Sequence, residues 1–335
     1  MPDRRNTIKD IAMENMVCDG GRLPLHCGYP QMRRIYKEKT MEQKILNGTC
    51  GDGLTWCLKG TTLRVTGTGV LEWCALWSSC WKRIRRVIIE PGCTGIGVLA
   101  FWRCAKLRSI VIPVGVTQIG ERAFLGCGRL RSVTLPEGLM QIGEAAFADC
   151  SRLRSIAIPK SVQSVGRHAF WDCTALTGVT ILDGVAQIGS GAFEGCTALR
   201  SIEIPDSVRS VGEGAFEDCT ALVSVRLSKH MTQIGARMFY GCIRLRAVTI
   251  PDGVTEICDS AFWDCCRLTS IDIPGSVAEI GPYVFIGCKG LTKIAVPDSV
   301  EKIGDGAFRY IDHIEYHGPA KSEDNWGAKS MNGRP

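Results

Sequence analysis

Cysteine and histidine are where this sequence would do chemistry, if it did any. Eighteen cysteines and five histidines occur in 335 residues. Thiolates and imidazoles bind metals, act as nucleophiles or, for thiols, pair into disulfides, and each use has its own spacing. No two cysteines stand as Cys-x-x-Cys, and His-Glu-x-x-His is absent. Cys18, Cys27, Cys50 and Cys57 with His26 form the one group dense enough to suggest zinc, and its irregular spacing argues against it. His168, His230, His313 and His317 are scattered and read, like His26, as surface or loop residues. Neither phosphate loop, dinucleotide fingerprint nor nucleophile elbow occurs. The sequence therefore predicts no catalytic residue, no cofactor and no metal, and the chain is not expected to be an enzyme.

Nine of the cysteines obey a rule of their own. Cys104, Cys127, Cys150, Cys173, Cys196, Cys219, Cys242, Cys265 and Cys288 each follow a phenylalanine by three residues. All ten phenylalanines, from Phe101 to Phe308, stand 23 residues apart. A fixed period in this range marks a tandem array of one supersecondary unit. The cysteine column is then most simply a stack of small buried hydrophobes. Pairing is the alternative, because adjacent coils bring like positions within about 5 Å.

The coil from Leu199 to Leu222 shows what positions these residues. Leu199, Ile202 and Ile204 form Leu-x-x-Ile-x-Ile, a short strand with one face inward. Pro205 ends it, since proline has no N–H for a ladder; Leu182 and Ser228 break that column. Val208 and Val211 point inward again. Gly212 follows, in a glycine column interrupted by Cys258, and is read as a corner needing positive φ. Ala215, Phe216 and Cys219 are expected to form a short helical turn.

The stretch Ile204-Pro205-Asp206-Ser207-Val208-Arg209-Ser210-Val211-Gly212-Glu213-Gly214-Ala215-Phe216-Glu217-Asp218-Cys219 resembles the BspA-like leucine-rich repeat family, over about residues 87–311. The resemblance implies a β-rich α/β solenoid. It is expected as a right-handed leucine-rich repeat array with a short strand per coil, short helical turns and capped ends. It also implies a secreted or cell-surface protein that binds host or matrix proteins. One departure stands out. The usual Asn or Cys after the strand is Ser or Gly here, as at Ser207, Gly253 and Ser276, so an asparagine ladder is not expected to satisfy the corners.

The organisation follows. Residues 1–46 lack periodicity and are expected to form a mobile arm. Residues 47–90 carry two β segments, Leu54–Leu58 and Thr62–Gly69, then Trp73, Trp77 and Trp81, and read as an N-terminal cap. Residues 91–311 hold about ten repeats; residues 312–335, with Ile314–Gly318 and Trp326, read as a C-terminal cap. No apolar run approaches the roughly 18 residues of a membrane span. The N-terminus is charged and lacks a signal-like apolar segment. The chain is thus expected either to stay inside the cell or to start after its signal. Asn47-Gly48-Thr49 matches a glycosylation acceptor, which matters only for a secreted protein.

With the core residues set aside, the variable ones remain. Arg108, Arg131, Arg154, Arg200 and Arg246 recur two residues before the strand's second apolar position, and Lys106, Arg129 and Arg152 thicken that edge. The outward strand position carries Glu203, Arg226 and Asp272 among small residues. This basic edge beside a Ser/Thr floor fits an acidic protein or glycan; the alternative is a face kept soluble by repeated arginine. Nucleic acid is disfavoured, because no stacking aromatics interleave with the arginines. After the phenylalanine, Trp102, Trp171, Tyr240 and Trp263 read either as exposed anchors or as rings packed across coils.

Overall fold

The computed structural model describes residues 46–72, 80–322 and 324–332. The expected arm up to residue 45, the Cys18–His26–Cys27 group, Trp73 and Trp77 lie outside the described residues.

The described chain opens with an antiparallel meander of β1 (Leu46–Thr49), β2 (Leu54–Lys59) and β3 (Thr62–Gly67). Alternation sets its faces: Leu54, Trp56 and Leu58 of β2 and Leu63 and Val65 of β3 are buried, while Thr55 and Lys59 face out. Strand β3 then takes a parallel neighbour, Arg86–Ile89, with Leu63 opposite Val87. Strand β4 (Gly69–Leu71) does the same with Cys93–Ile96. The meander therefore covers the open edge of the first coil.

From Arg86 onward the 23-residue coils stack as a β-solenoid. All but the coil at Asp272, which keeps a single bridge, have a first strand such as Ser155–Ile158, held in register by Ser155↔Gly178 and Ile158↔Ile181. Most coils add a second parallel strand of only two residues after the corner, as in Gln141–Ile142 between Gln118–Ile119 and Ser164–Val165. The proline carbonyl at the corner accepts from the Val or Leu N–H three residues on, for example Val208 to Pro205 at 3.0 Å. Serine does there what asparagine was not expected to do. The hydroxyls of Ser207, Ser276 and Ser299 donate to the Val185, Val254 and Val277 carbonyls of the preceding coil at 2.7–2.9 Å.

The third side differs from expectation. The Ala-Phe-x-x-Cys segments are not helical; the one helical element among the described residues is a 3₁₀ turn at Asn325–Gly327. Each segment is instead a run of turns, as in Ala192 N–H to the Gly189 carbonyl and Cys196 N–H to the Phe193 carbonyl, both 3.2 Å. The residues two before and two after every phenylalanine have positive φ, for example Gly191 (59°) and Gly195 (70°), or His168 (51°) and Asp172 (56°). A left-handed residue every fourth position stops a helix from propagating. The glycine column at Gly120, Gly143, Gly166, Gly189 and Gly212 is not among the positive-φ residues. A Cβ on Gly212 would meet the Ser190 nitrogen at 2.3 Å, so glycine is needed there for close approach of coil to coil.

The core is the phenylalanine stack. All ten rings are buried, with neighbouring centroids 5.0–5.8 Å apart and planes within 1–18° of parallel. Trp326 closes it edge-on, 6.5 Å from Phe308. All nine column cysteines are free and buried. From Cys127 to Cys288 each thiol donates to the phenylalanine carbonyl of the coil before, at 3.1–3.4 Å. Burial pushes these thiols up, Cys104 to about 12, so they stay protonated.

Candidate protein-binding faces

The predicted arginines stand immediately before the first strands and are exposed. The backbone lays three of them side by side, with Arg85 ahead of them. Arg108 N–H donates to the Arg85 carbonyl (3.2 Å), Arg131 to Arg108 (2.8 Å) and Arg154 to Arg131 (3.3 Å). Sequence reasoning begins the column at Arg108, but Arg85 stands one 23-residue period earlier, and the ladder confirms its place. Lys106, Arg129 and Arg152 are exposed two residues upstream. Among the described residues, no ion pair engages any of these cations. Arg200 and Arg246 are not part of this lane. Thr177 and Val223 take the intervening coils, and the first sheet has no ladder between Gly178–Ile181 and Ser201–Glu203.

At that break lies a groove of about 430 Å³, lined by Thr180, Leu182, Asp183, Glu203, Asp206 and Arg226 among others. Leu182, which replaces the corner proline, is 41% exposed. Glu203 and Arg226 are brought together: Nη1 stands 3.3 Å from the Glu203 carboxylate, and Arg226 and Lys229 both reach Asp206 at 3.4–3.5 Å. Asp206 is held below the usual carboxylate range, first by the Lys229 N–H and then by its ammonium. Asp272 is exposed and joined to Thr249 by an isolated bridge.

Trp171 and Trp263 part company. Trp263 packs across coils, 5.7 Å from Tyr240 and 5.9 Å from Tyr283. Trp171 is 38% exposed and donates its indole N–H to Glu194 at 3.2 Å. Glu194 also lies 3.4 Å from His168 Nδ1. Around them runs a set of carboxylates that sequence reasoning does not single out, Asp149, Asp172 and Asp218, at the positive-φ position after each phenylalanine. Aspartate tolerates that conformation, and glycine alternates with it at Gly195, Gly241 and Gly287. The pattern makes room: a Cβ on Gly241 would meet Asp218 Oδ1 at 2.2 Å. Partial burial, then neighbouring carboxylates, push the Asp149, Asp172 and Asp218 carboxyls up. Among the described residues no group of three or more His, Cys, Asp or Glu is placed to hold a metal.

Comparison with protein families matches residues 77–200 and 186–315 to the BspA type leucine rich repeat region. The chain belongs to that family. No curated protein sequence matches it. Among solved structures, a leucine-rich repeat protein from Bacteroides ovatus is 21% identical, covering 90% of this chain and all of that one, with a TM-score of 0.55. The pneumococcal vaccine antigen PcpA is 16% identical, covering 87% of this chain and 86% of its own, at a TM-score of 0.48. A leucine-rich repeat protein from Eubacterium ventriosum is 22% identical, covering 84% and 97%, at 0.45. The first of these supports the fold. Family membership makes the BspA-type chain a protein-binding repeat module on a generally non-enzymatic scaffold. No helix among its described residues is long and apolar enough to cross a membrane.

Proposed function

We propose that this BspA-type module is an adhesin-like binder that meets an acidic protein, or an acidic glycan carried by one, through its first sheet. The observation that carries this reading is the lane of exposed arginines, Arg85, Arg108, Arg131 and Arg154, laid on consecutive coils with no acidic partner among the described residues. Like charges on one flat face repel one another and attract a complementary surface, which sets on-rate and specificity. Family resemblance supports a host or matrix protein as the partner and the cell surface as the place.

A second reading, an intracellular scaffold or effector using the same face, draws on the free buried thiols, which a reducing compartment preserves. Fractionation of the native protein separates the two; recovery from cytosol alone removes the adhesin reading. The face itself is tested by reversing Arg108, Arg131 and Arg154 to Glu and titrating binding of candidate extracellular proteins against salt. Each exposed arginine–carboxylate pair is worth about 0.5 kcal/mol, so breaking all three weakens binding by roughly tenfold or more and flattens the salt dependence. Unchanged affinity in the triple variant would eliminate the lane as the binding face.

A further inference from the structure

The basic lane has a counterpart on the same molecule. Coils carrying Asp149, Asp172, Glu194 and Asp218 follow one another without interruption, each placing a carboxylate on the turn side. The Asp149 and Asp218 side chains are exposed, and those of Asp172 and Glu194 half-buried. Asp149, Asp172 and Asp218 are in no ion pair among the described residues. Four consecutive coils thus bear arginine on the strand side, and four consecutive coils bear acid on the turn side. Both lanes repeat at the coil spacing, which the phenylalanine centroids place at 5.0–5.8 Å.

We propose that the acidic surface met by the arginine lane is the acidic lane of a second copy of this chain. The proposal deepens the preceding reading and rests on it. An ordinary acidic surface has carboxylates at irregular distances, and only some find an arginine. A second copy presents them at the same pitch as the arginines, so pairing at one coil sets the register for the next. The two lanes are different patches, so the contact is heterologous and leaves one free lane of each sign on every pair. Such contacts grow into open chains unless the rotation between copies closes a ring. Exposed ion pairs are screened by salt, so growth belongs to low ionic strength.

Sedimentation velocity on the full chain over a range of concentrations tests this, at about 0.01 M and about 1 M salt, where screening lengths are roughly 30 Å and 3 Å. The wild type is expected to gain mass with concentration at low salt and to sediment as a monomer at high salt. Arg108→Gln/Arg131→Gln/Arg154→Gln and Asp149→Asn/Asp172→Asn/Asp218→Asn are each expected to remain monomeric alone, asparagine being tolerated at positive φ. Mixed one to one, they retain one complementary pair of lanes and are expected to reach about twice the monomer mass and stop. Arginine-to-lysine replacements at the same three positions keep the charge and should still assemble. A wild type that is monomeric at low salt overturns the proposal, as does unchanged growth in either lane variant or a mixture that grows past pairs. If the wild type stays monomeric while a separate acidic partner binds in an arginine-dependent way, self-association fails and the preceding reading stands. If copies assemble through the lanes and no other protein binds, the converse holds.

Discussion

At Gly212 and Gly235, two glycines in one column carry opposite predictions. A Cβ on Gly212 would lie 2.3 Å from the Ser190 nitrogen and 2.7 Å from the Gly189 carbonyl carbon, and backbone cannot swing aside. At Gly235 the nearest atom is the Val211 oxygen at 3.4 Å, an ordinary van der Waals distance. Gly212→Ala should destabilise by about 1–3 kcal/mol, as overpacked sites do. Gly235→Ala should be near neutral, or stabilise by about 0.4–1 kcal/mol through the unfolded chain. Chemical denaturation of the two variants checks this, and equal losses would show that the distance to the preceding coil does not set the cost. The same column carries Cys258, a larger side chain, in the coil after Gly235. The cysteine column makes a second residue-scale prediction. Thiols held protonated by burial, as Cys104 is at about 12, are not alkylated at pH 8 in the folded protein. Iodoacetamide labelling should leave Cys127 to Cys288 of the column unmodified until denaturant is added, whereas half-buried Cys57 and Cys266 react earlier. Labelling of the column in native buffer would mean that the coils open far more often than this core allows.

The acidic lane is an element whose stability depends on pH in the less usual direction. Burial, and then the charges of neighbouring carboxylates, raise the Asp149, Asp172 and Asp218 carboxyls above the ordinary 3.8. The folded chain therefore holds these protons to higher pH than the unfolded chain does. Stability falls as pH rises from the ordinary value through the raised ones, and the penalty is complete above them. Asp149→Asn/Asp172→Asn should raise the melting temperature at pH 7 and flatten its dependence on pH just above the carboxylate range. Thermal scans across that range decide it, and a lower melting temperature at pH 7 would contradict the assigned cause. How far such elements were legible differs by kind. Phenylalanine at one spacing announced the core, because a single residue type in register leaves no other reading. The second sheet was hidden, because a strand of two residues has no alternation to detect. Ala-Phe-x-x-Cys suits a helix, so from sequence the turn side reads as helical. The contrary signal, Asp172, Gly195, Asp218, Gly241, Asp264 and Gly287 in one column, consists of residues that tolerate positive φ. The arginine lane is legible from Arg85, one period before Arg108, to Arg154, but its end at a break in the sheet is a fact of pairing. Whether a glycine serves φ or close approach, and whether a tryptophan such as Trp263 faces a neighbouring ring, depends on the adjacent coil.

Across the whole molecule the three sides are not equally continuous. The first sheet lacks a ladder between Gly178–Ile181 and Ser201–Glu203, and again between Ala247–Val248 and Lys293–Ala295, where an isolated Thr249–Asp272 bridge stands; the second lacks one between Ser210–Val211 and Gln233–Ile234. The turn side is unbroken: each of the ten phenylalanine N–H groups donates to the coil after it, from Phe101 to Ala123 through Phe308 to Trp326, at 2.7–3.1 Å. A solenoid's stability is a sum over coils and their interfaces, so an interface stripped of one sheet ladder still holds through this spine and the ring stack beneath it. The relaxed spacing at Gly235 falls at the break in the second sheet, and the groove beside Leu182 at the one after Gly178–Ile181, so local looseness follows the sheets and leaves the spine intact. Local opening starts where few backbone bonds must break. Hydrogen exchange read by mass spectrometry should therefore find the phenylalanine turns protected in every coil. Peptides covering Ser201–Glu203 and Gln233–Ile234 should exchange before their counterparts at Ser155–Ile158 and Gln141–Ile142. Uniform exchange along either sheet would place the joints elsewhere. Turns that exchange ahead of the strands would remove the spine, and with it the reason why breaks in both sheets leave a single stacked core.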